Sequence, residues 1–384
     1  MRTQTGLDVW IDEGFAAVRG QRVGLVTHQA AIASDLVHNL DHFLRAGVNV
    51  GAVFGPQHGV WGHTQDNMIE WEGYRDERTG LPFYSLYGET REPFDSMLAG
   101  LDRLVFDVQD VGTRVYTFVW TLAYCLKACG RNGIPLTVLD RPNPIGGAVE
   151  GPLLDPTFAS FVGLHPCPMR HGRTLGEMAM WTRDTFYPNT ELEVIPCRGW
   201  QRDMMFEATG LPWVPPSPNM PTVDTAVVYP GMVLIEGTNI SEGRGTTRPF
   251  ETLGAPWLDP WRLCDELNGL NMPGVWYRPI TFQPTFHKHA GQVCGGAYVH
   301  VTDRATFRPV EATARMFQVI WAQSEGQMRW NDPPYEYEDV LLPIDILWGS
   351  SFLRSFVEER QDVDKLRENL SVTPGFGPRM ESYS

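Results

Sequence analysis

Leu104-Val-Phe-Asp107-Val-Gln-Asp110-Val-Gly-Thr-Arg114-Val-Tyr116 runs an apolar strand straight into a cluster of hydrogen-bonding side chains. The same transition occurs three more times in the first 150 residues. Val23–Val26 opens onto Thr27 and His28, Val48–Phe54 onto Pro56, Gln57 and His58, and Leu136–Leu139 onto Asp140, Arg141 and Asn143. In an open parallel sheet the C-terminal strand edges share one rim, and ligands bind in the crevice outside it. A core strand has no reason to end each time in His, Asp or Arg unless that rim meets something polar. The pattern predicts an enzyme's site on an α/β sheet.

Outward from these strands, the connecting segments read as helices. Ser34 is placed to cap a helix with Leu36, Leu40, Phe43 and Leu44 on one face, stopped by Gly47. Pro93–Gly100 reads as a helix, and a longer one over Arg114–Arg131 buries Val115, Val119, Leu122 and Leu126. Right-handed crossovers then place helices on both faces of a parallel sheet. The connection Gly59–Gly88 is long and carries Trp61, His63, Asp66, Trp71 and Tyr74. Loops of that length are functional or disordered, and this aromatic content favours function. Thr174 and Glu177 form a capping box ahead of a helix leading to a strand at Leu192–Ile195. Asp259-Pro260 starts another helix, and the remainder mixes helices near 260–270 and 306–324 with strands near 277–282 and 296–301. The expected architecture is a Rossmann-like parallel sheet with helices on both faces over residues 1–255, carrying most of the site. A smaller C-terminal α/β domain, residues 256–384, closes the cleft.

Composition narrows the function class. The chain has 384 residues, 42% of them hydrophobic and 20% charged, which is globular. A net charge of −15 argues against a nucleic-acid partner, which calls for a basic stripe. No apolar run approaches the roughly 20 residues of a membrane span. Met1–Trp10 has one Arg and no apolar core, so it does not read as a signal peptide, and the expected compartment is the cytoplasm. The six cysteines form neither a zinc pattern nor a disulfide framework; Cys125 and Cys129, one helical turn apart, read as buried thiols.

Three segments carry the chemistry. The exit of the third strand sets Asp107 and Gln109 on one side, with Asp110 starting a turn and Arg114 near a helix start, poised for an anion. Asp140-Arg-Pro-Asn-Pro-Ile-Gly-Gly147 is a proline-fixed loop that holds Asp140, Arg141 and Asn143, as sugar binding favours. Glu236-Gly-Thr-Asn-Ile-Ser-Glu-Gly-Arg-Gly-Thr-Thr-Arg248 places Glu236, Glu242 and Arg244 on a backbone that glycines let approach a ligand. The chain has no P-loop, dinucleotide fingerprint, serine-nucleophile elbow or zinc helix, and the expectation is no metal and no cofactor. Clustered carboxylates beside aromatics point to acid/base work on a sugar-like ligand, and His58, at a strand exit, joins them.

Six ordered segments carry a resemblance. They are Phe54-Gly-Pro-Gln-His-Gly59, Ser85-Leu-Tyr-Gly88, residues 107–117, residues 140–147, Pro216-Ser-Pro-Asn-Met-Pro221 and residues 236–246. Together they span nearly the whole chain, which resembles the YbbC/NamZ-like exo-β-N-acetylmuramidases. The resemblance implies a Rossmann-like domain plus a smaller one with the site between them, and removal of terminal N-acetylmuramic acid from the non-reducing end of peptidoglycan fragments. With the readings of the segments above, the catalytic candidates are Gln57, His58, Asp107, Asp110, Glu236 and Glu242. His28, Arg114, Tyr116, Asp140, Arg141, Asn143, Asn219, Asn239 and Arg244 are the candidates for binding an amino sugar or muropeptide. One departure stands out: the motif around Gln57 usually reads Pro-Glu-His-Gly, and that glutamate is the leading catalytic candidate. An amide cannot exchange a proton as a carboxyl does, so another acid must take over, with the substrate's 2-acetamido group assisting. Two other readings stay open: a hydrolase of a different amino-sugar conjugate, and a binding protein without turnover.

Overall fold

A computed structural model describes residues 2–65 and 68–371. Asp66 of the long loop lies outside the described residues. Four apolar runs become the centre of a parallel sheet: β1 (Arg22–Thr27), β2 (Asn49–Gly55), then, after the short strands β3 (Tyr74–Arg75) and β4 (Pro82–Ser85), β5 (Arg103–Asp107) and β6 (Leu136–Leu139). A hairpin of β7 (Glu150–Leu153) and β8 (Pro168–Arg170) stands apart, and β9 (Leu192–Ile195) completes a seven-stranded sheet of order β3-β4-β2-β1-β5-β6-β9. All its pairings are parallel except that of β3 with β4. Strands buried on both faces need continuous apolar side chains, which is why these read as runs rather than alternations.

The strand order reverses between β1 and β5, where Thr27 lies opposite Asp107. A doubly wound sheet opens its ligand crevice at such a switch point. Helices at 39–45, 118–132 and 175–186 connect the strands; the last carries the Thr174–Glu177 capping box.

Three local expectations are corrected. Leu36 sits at φ +68° and is exposed, so residues 34–37 form a turn and the helix starts at Asn39, capped by the His38 ring; only Leu40 and Phe43 of its expected face are buried. The helix expected from Arg114 starts at Phe118, because residues 113–117 turn inward with Arg114 fully buried. The 59–88 connection, read as a long functional loop, contains the strands β3 and β4, and β4 joins the sheet beside β2.

In the C-terminal part, β10 (Thr252–Ala255), β11 (Val275–Phe282) and β12 (Cys294–Val301) form an antiparallel sheet of order β10-β12-β11. A helix at 260–269, started by Asp259-Pro260, packs on this sheet, and one at 309–323 packs on that helix. The apolar helix 223–232 packs against 309–323. Among the described residues no helix is long and apolar enough to cross a membrane.

Candidate active site

The strand exits first build a sealed polar layer. Asp107 takes Arg141 Nε at 2.6 Å on one oxygen, and Arg141 Nη2 at 3.1 Å and Asn39 Nδ2 at 2.8 Å on the other. Asp140 accepts the backbone N–H groups of Arg141 and Gly176 at 2.9 and 2.7 Å; its burial pushes its pKa up to about 7. His28 donates through Nδ1 to the Pro216 carbonyl at 3.2 Å and accepts the Gln109 N–H on Nε2 at 2.8 Å, and burial lowers its pKa. Asp110 accepts the Gly112 N–H at 2.6 Å and faces His171 Nε2 at 3.1 Å. Asn143 bridges the Arg173 carbonyl and the Ile145 N–H, and Asn239 bridges the Gln327 carbonyl and the Arg329 N–H.

Arg114 departs furthest from its sequence reading. Its guanidinium meets no helix start; it donates to the carbonyl oxygens of Pro152, Cys167, Leu347 and Trp348 at 2.7–2.9 Å. It ties the loop after β5 to the β7–β8 hairpin and to the 343–348 helix.

Above this layer lies a cavity between the sheet rim and the C-terminal part. Of the sequence candidates, Gln57, His58, Tyr116, Asn219, Glu236 and Arg244 line it. The structure therefore separates them from Asp107, Asp110, Asp140, Arg141, Asn143, His28, Arg114, Asn239 and Glu242, which are not in its wall. His58 follows β2 at φ +69°, a conformation rare for a side-chain-bearing residue, and its Nδ1 donates to the Thr64 carbonyl at 2.8 Å. Asn219 is held by the Gln65 carbonyl at 2.8 Å.

Two carboxylates face the cavity. Glu236, at the end of a 3₁₀ turn, accepts Tyr335 Oη and Arg244 Nη2, each at 2.6 Å. Arg244 Nε in turn lies 3.2 Å from Glu242, which also meets Lys288 Nζ at 2.9 Å and His287 Nδ1 at 3.2 Å. Burial alone would raise the Glu242 pKa; Lys288, His287 and Arg244 outweigh it and hold the group well below the usual carboxylate range.

The second carboxylate, Glu336, was not among the sequence candidates. Its Oε2 accepts Tyr87 Oη at 2.8 Å and its Oε1 lies 3.5 Å from Gln57 Nε2. Gln57 is itself fixed, with Thr117 Oγ1 donating to its oxygen at 2.8 Å and its nitrogen 3.1 Å from Tyr87 Oη. Burial pushes the Glu336 pKa up to about 7 against these hydrogen bonds, and the Glu236 charge adds to the rise. Pro333-Pro-Tyr-Glu-Tyr337 is, like residues 140–147, a proline-fixed segment carrying an acid, here flanked by aromatics, and this is its mark in the sequence. Tyr87 lies within the matched segment 85–88.

Residues 23–224 match the family model for the N-terminal part of the exo-β-N-acetylmuramidase NamZ, and residues 227–373 the model for its C-terminal part. The chain belongs to the NamZ family. It is 47% identical over 375 residues to the peptidoglycan β-N-acetylmuramidase NamZ of Bacillus subtilis, covering 97% of this chain and 88% of that one. Two DUF1343 family proteins of Bacteroides fragilis share the fold. One has a TM-score of 0.86 and 32% identity over 96% of this chain and 94% of its own; the other has 0.72 and 25% over 97% and 95%. The two NamZ segments meet at the start of helix 223–232, so the cavity is walled by both: Gln57, His58 and Tyr116 from the first, Glu236, Arg244 and Glu336 from the second.

Proposed function

We propose that this chain is a glycoside hydrolase that removes terminal N-acetylmuramic acid from the non-reducing end of peptidoglycan fragments. The observation that carries the reading is a pair of buried carboxylates, Glu236 and Glu336, facing one cavity in a chain of the NamZ family. Glycoside hydrolysis calls for two carboxyl groups in different environments. Here one is ion-paired to Arg244 and the other hydrogen-bonded to Tyr87. Asp107, both of its oxygens held by Arg141 and Asn39, supports the rim instead of reacting, and Asp110, bonded through one oxygen to Gly112 and His171, lies outside the cavity wall. Of the three arginines that the sequence offers for the lactyl carboxylate, Arg244 is the one in the cavity wall, and we assign that contact to it. His58, Tyr116 and Asn219 complete the sugar's surroundings. We also divide the chain ahead of helix 223–232 in place of 255/256, since β10 pairs with β12 and that helix packs on 309–323.

A second reading, a muropeptide-binding protein without turnover, rests on Gln57 standing where the resemblance implies a glutamate. One assay separates them: release of free sugar from a chromogenic N-acetylmuramic acid glycoside, beside calorimetry with the free sugar. Turnover supports the hydrolase, binding without turnover the second reading, and neither result rejects both.

A further inference from the structure

Glu336 occupies a position that no other residue shares among the described residues lining the two neighbouring pockets. It lines the more enclosed cavity with Gln57 and Glu236, and it also lines an adjoining, more open pocket with Arg91, Tyr124 and Phe161. An exo-acting glycosidase holds one terminal sugar in the closed space and lets the rest of the chain leave through the open one. The scissile bond then crosses the junction, and Glu336 stands there.

The backbone holds it in place at a cost. Glu336 and Tyr337 are at φ +46° and +67°, within a tight turn closed by the paired backbone bonds of Tyr335 and Glu338 at 3.0 Å. Hairpin turns with two left-handed residues favour Asn and Gly, so Glu-Tyr here is strained by roughly 1–3 kcal/mol per residue. Such strain persists where the surroundings over-determine it, and the Tyr87 and Gln57 contacts do so from β4's exit and β2's exit.

We propose that Glu336 is the group that protonates the departing glycosidic oxygen, with Gln57 and Tyr87 as its positioning residues. The assignment rests on the hydrolase reading above. The bond between the sugar C1 and the leaving oxygen breaks with its electron pair on that oxygen, which takes the Glu336 proton. Water supplies the hydroxyl to C1, and the proton it gives up restores the carboxyl group, so one water is consumed and no other reagent. Gln57 thereby acquires a reason. A glutamate at 57 would set a second carboxyl against Glu336, and like charges at that distance share a proton. The amide supplies a fixed N–H and holds no titratable proton of its own, so Glu336, raised by burial, does not share its proton with position 57. The charged and titratable groups around Glu336 are Tyr87, Glu236, Arg91, Tyr229, Tyr335 and Tyr337.

The test compares two N-acetylmuramic acid glycosides, one with an N-acetylglucosamine leaving group and one with 2,4-dinitrophenolate, which departs without a proton. Glu336→Gln should lower kcat/KM on the disaccharide by roughly 10²–10⁴-fold and on the aryl glycoside by less than about tenfold. The wild-type rate on the disaccharide should fall above pH about 7, the value to which Glu336 is raised, and this limb should vanish in the variant. Tyr87→Phe and Gln57→Glu should each move the limb to higher pH, since each removes a hydrogen bond to the charged form. Equal losses on both substrates, or an unchanged limb in Glu336→Gln, would overturn the assignment. If that variant does not fold, Tyr87→Phe decides: a raised limb supports the assignment and an unmoved one overturns it. Wild-type turnover with an unmoved limb sinks this assignment alone, whereas a wild-type protein inert on both glycosides sinks the hydrolase reading with it.

Discussion

The strand-exit layer and the cavity above it hold nearly the same chemistry and use it in opposite ways. In the layer, Asp107, Arg141, Asp140 and His28 are at most 4% exposed and bonded to one another or to the backbone. In the cavity, Gln57, His58, Glu236, Arg244 and Glu336 are also buried, yet they face a common space. A polar cluster at the end of a buried strand is therefore not in itself a binding site. The lower layer fixes loop positions through its internal hydrogen bonds, and the upper layer lines the cavity in which we propose that the ligand binds.

The largest effect should come from the lower layer. Asp107→Asn leaves Arg141 as a buried charge without its carboxylate, and about 3–5 kcal/mol of stability should be lost in urea unfolding. KM of the folded fraction for an N-acetylmuramic acid glycoside should hardly move; a KM that rises tenfold with stability intact would return Asp107 to the site. Arg114→Met comes next, at about 3 kcal/mol. It strips four buried carbonyls of their donor but removes the buried charge as well, which softens the loss. Weaker binding of N-acetylmuramic acid relative to N-acetylglucosamine in that variant would contradict the assignment of Arg114 to scaffold.

The cavity should respond in the reverse sense. Arg244→Lys keeps the charge but loses the planar fork, and affinity for N-acetylmuramic acid should fall about tenfold more than for N-acetylglucosamine, about 1.4 kcal/mol. Isothermal titration of both sugars reads this, and equal losses would remove the lactyl contact from Arg244. The smallest effect is on stability and carries the opposite sign. The Glu336 carboxyl is raised to about 7 in the folded protein against an ordinary 4.5, so between these values the folded state binds a proton that the unfolded state has lost. Stability from this group therefore declines as pH rises through that window. Glu336→Gln should flatten the decline and gain on the order of 1 kcal/mol at pH 8, the usual trade between activity and stability. A variant less stable at pH 8 than at pH 5 by the wild-type margin would show that Glu336 is not the strained group.

Much of the architecture was legible because its causes are local. Unbroken apolar runs such as Leu136–Leu139 require burial on both faces, the Thr174–Glu177 box closes within three residues, and Asp259-Pro260 presets a helix start. The missed turn at 34–37 shows the limit. Leu36 and Leu44 fit the helical period, but they stay exposed because no surface covers them there.

By itself, then, the sequence determined a doubly wound sheet with polar strand exits, a second α/β part and the family resemblance. Periodicity and capping act over a few residues, and ordered motifs can be matched without coordinates. Only the tertiary structure decided which polar groups seal the rim and which face the cavity. Period-two alternation states the face of a strand on which a side chain lies, but not whether the space in front of it is filled. Gln57 and Glu336 meet across 279 residues, and the raised proton affinity of Glu336 comes from that burial and from Glu236 beside it. Both are properties of the packed interior, where desolvation and charge are set by neighbours that chain order does not reveal.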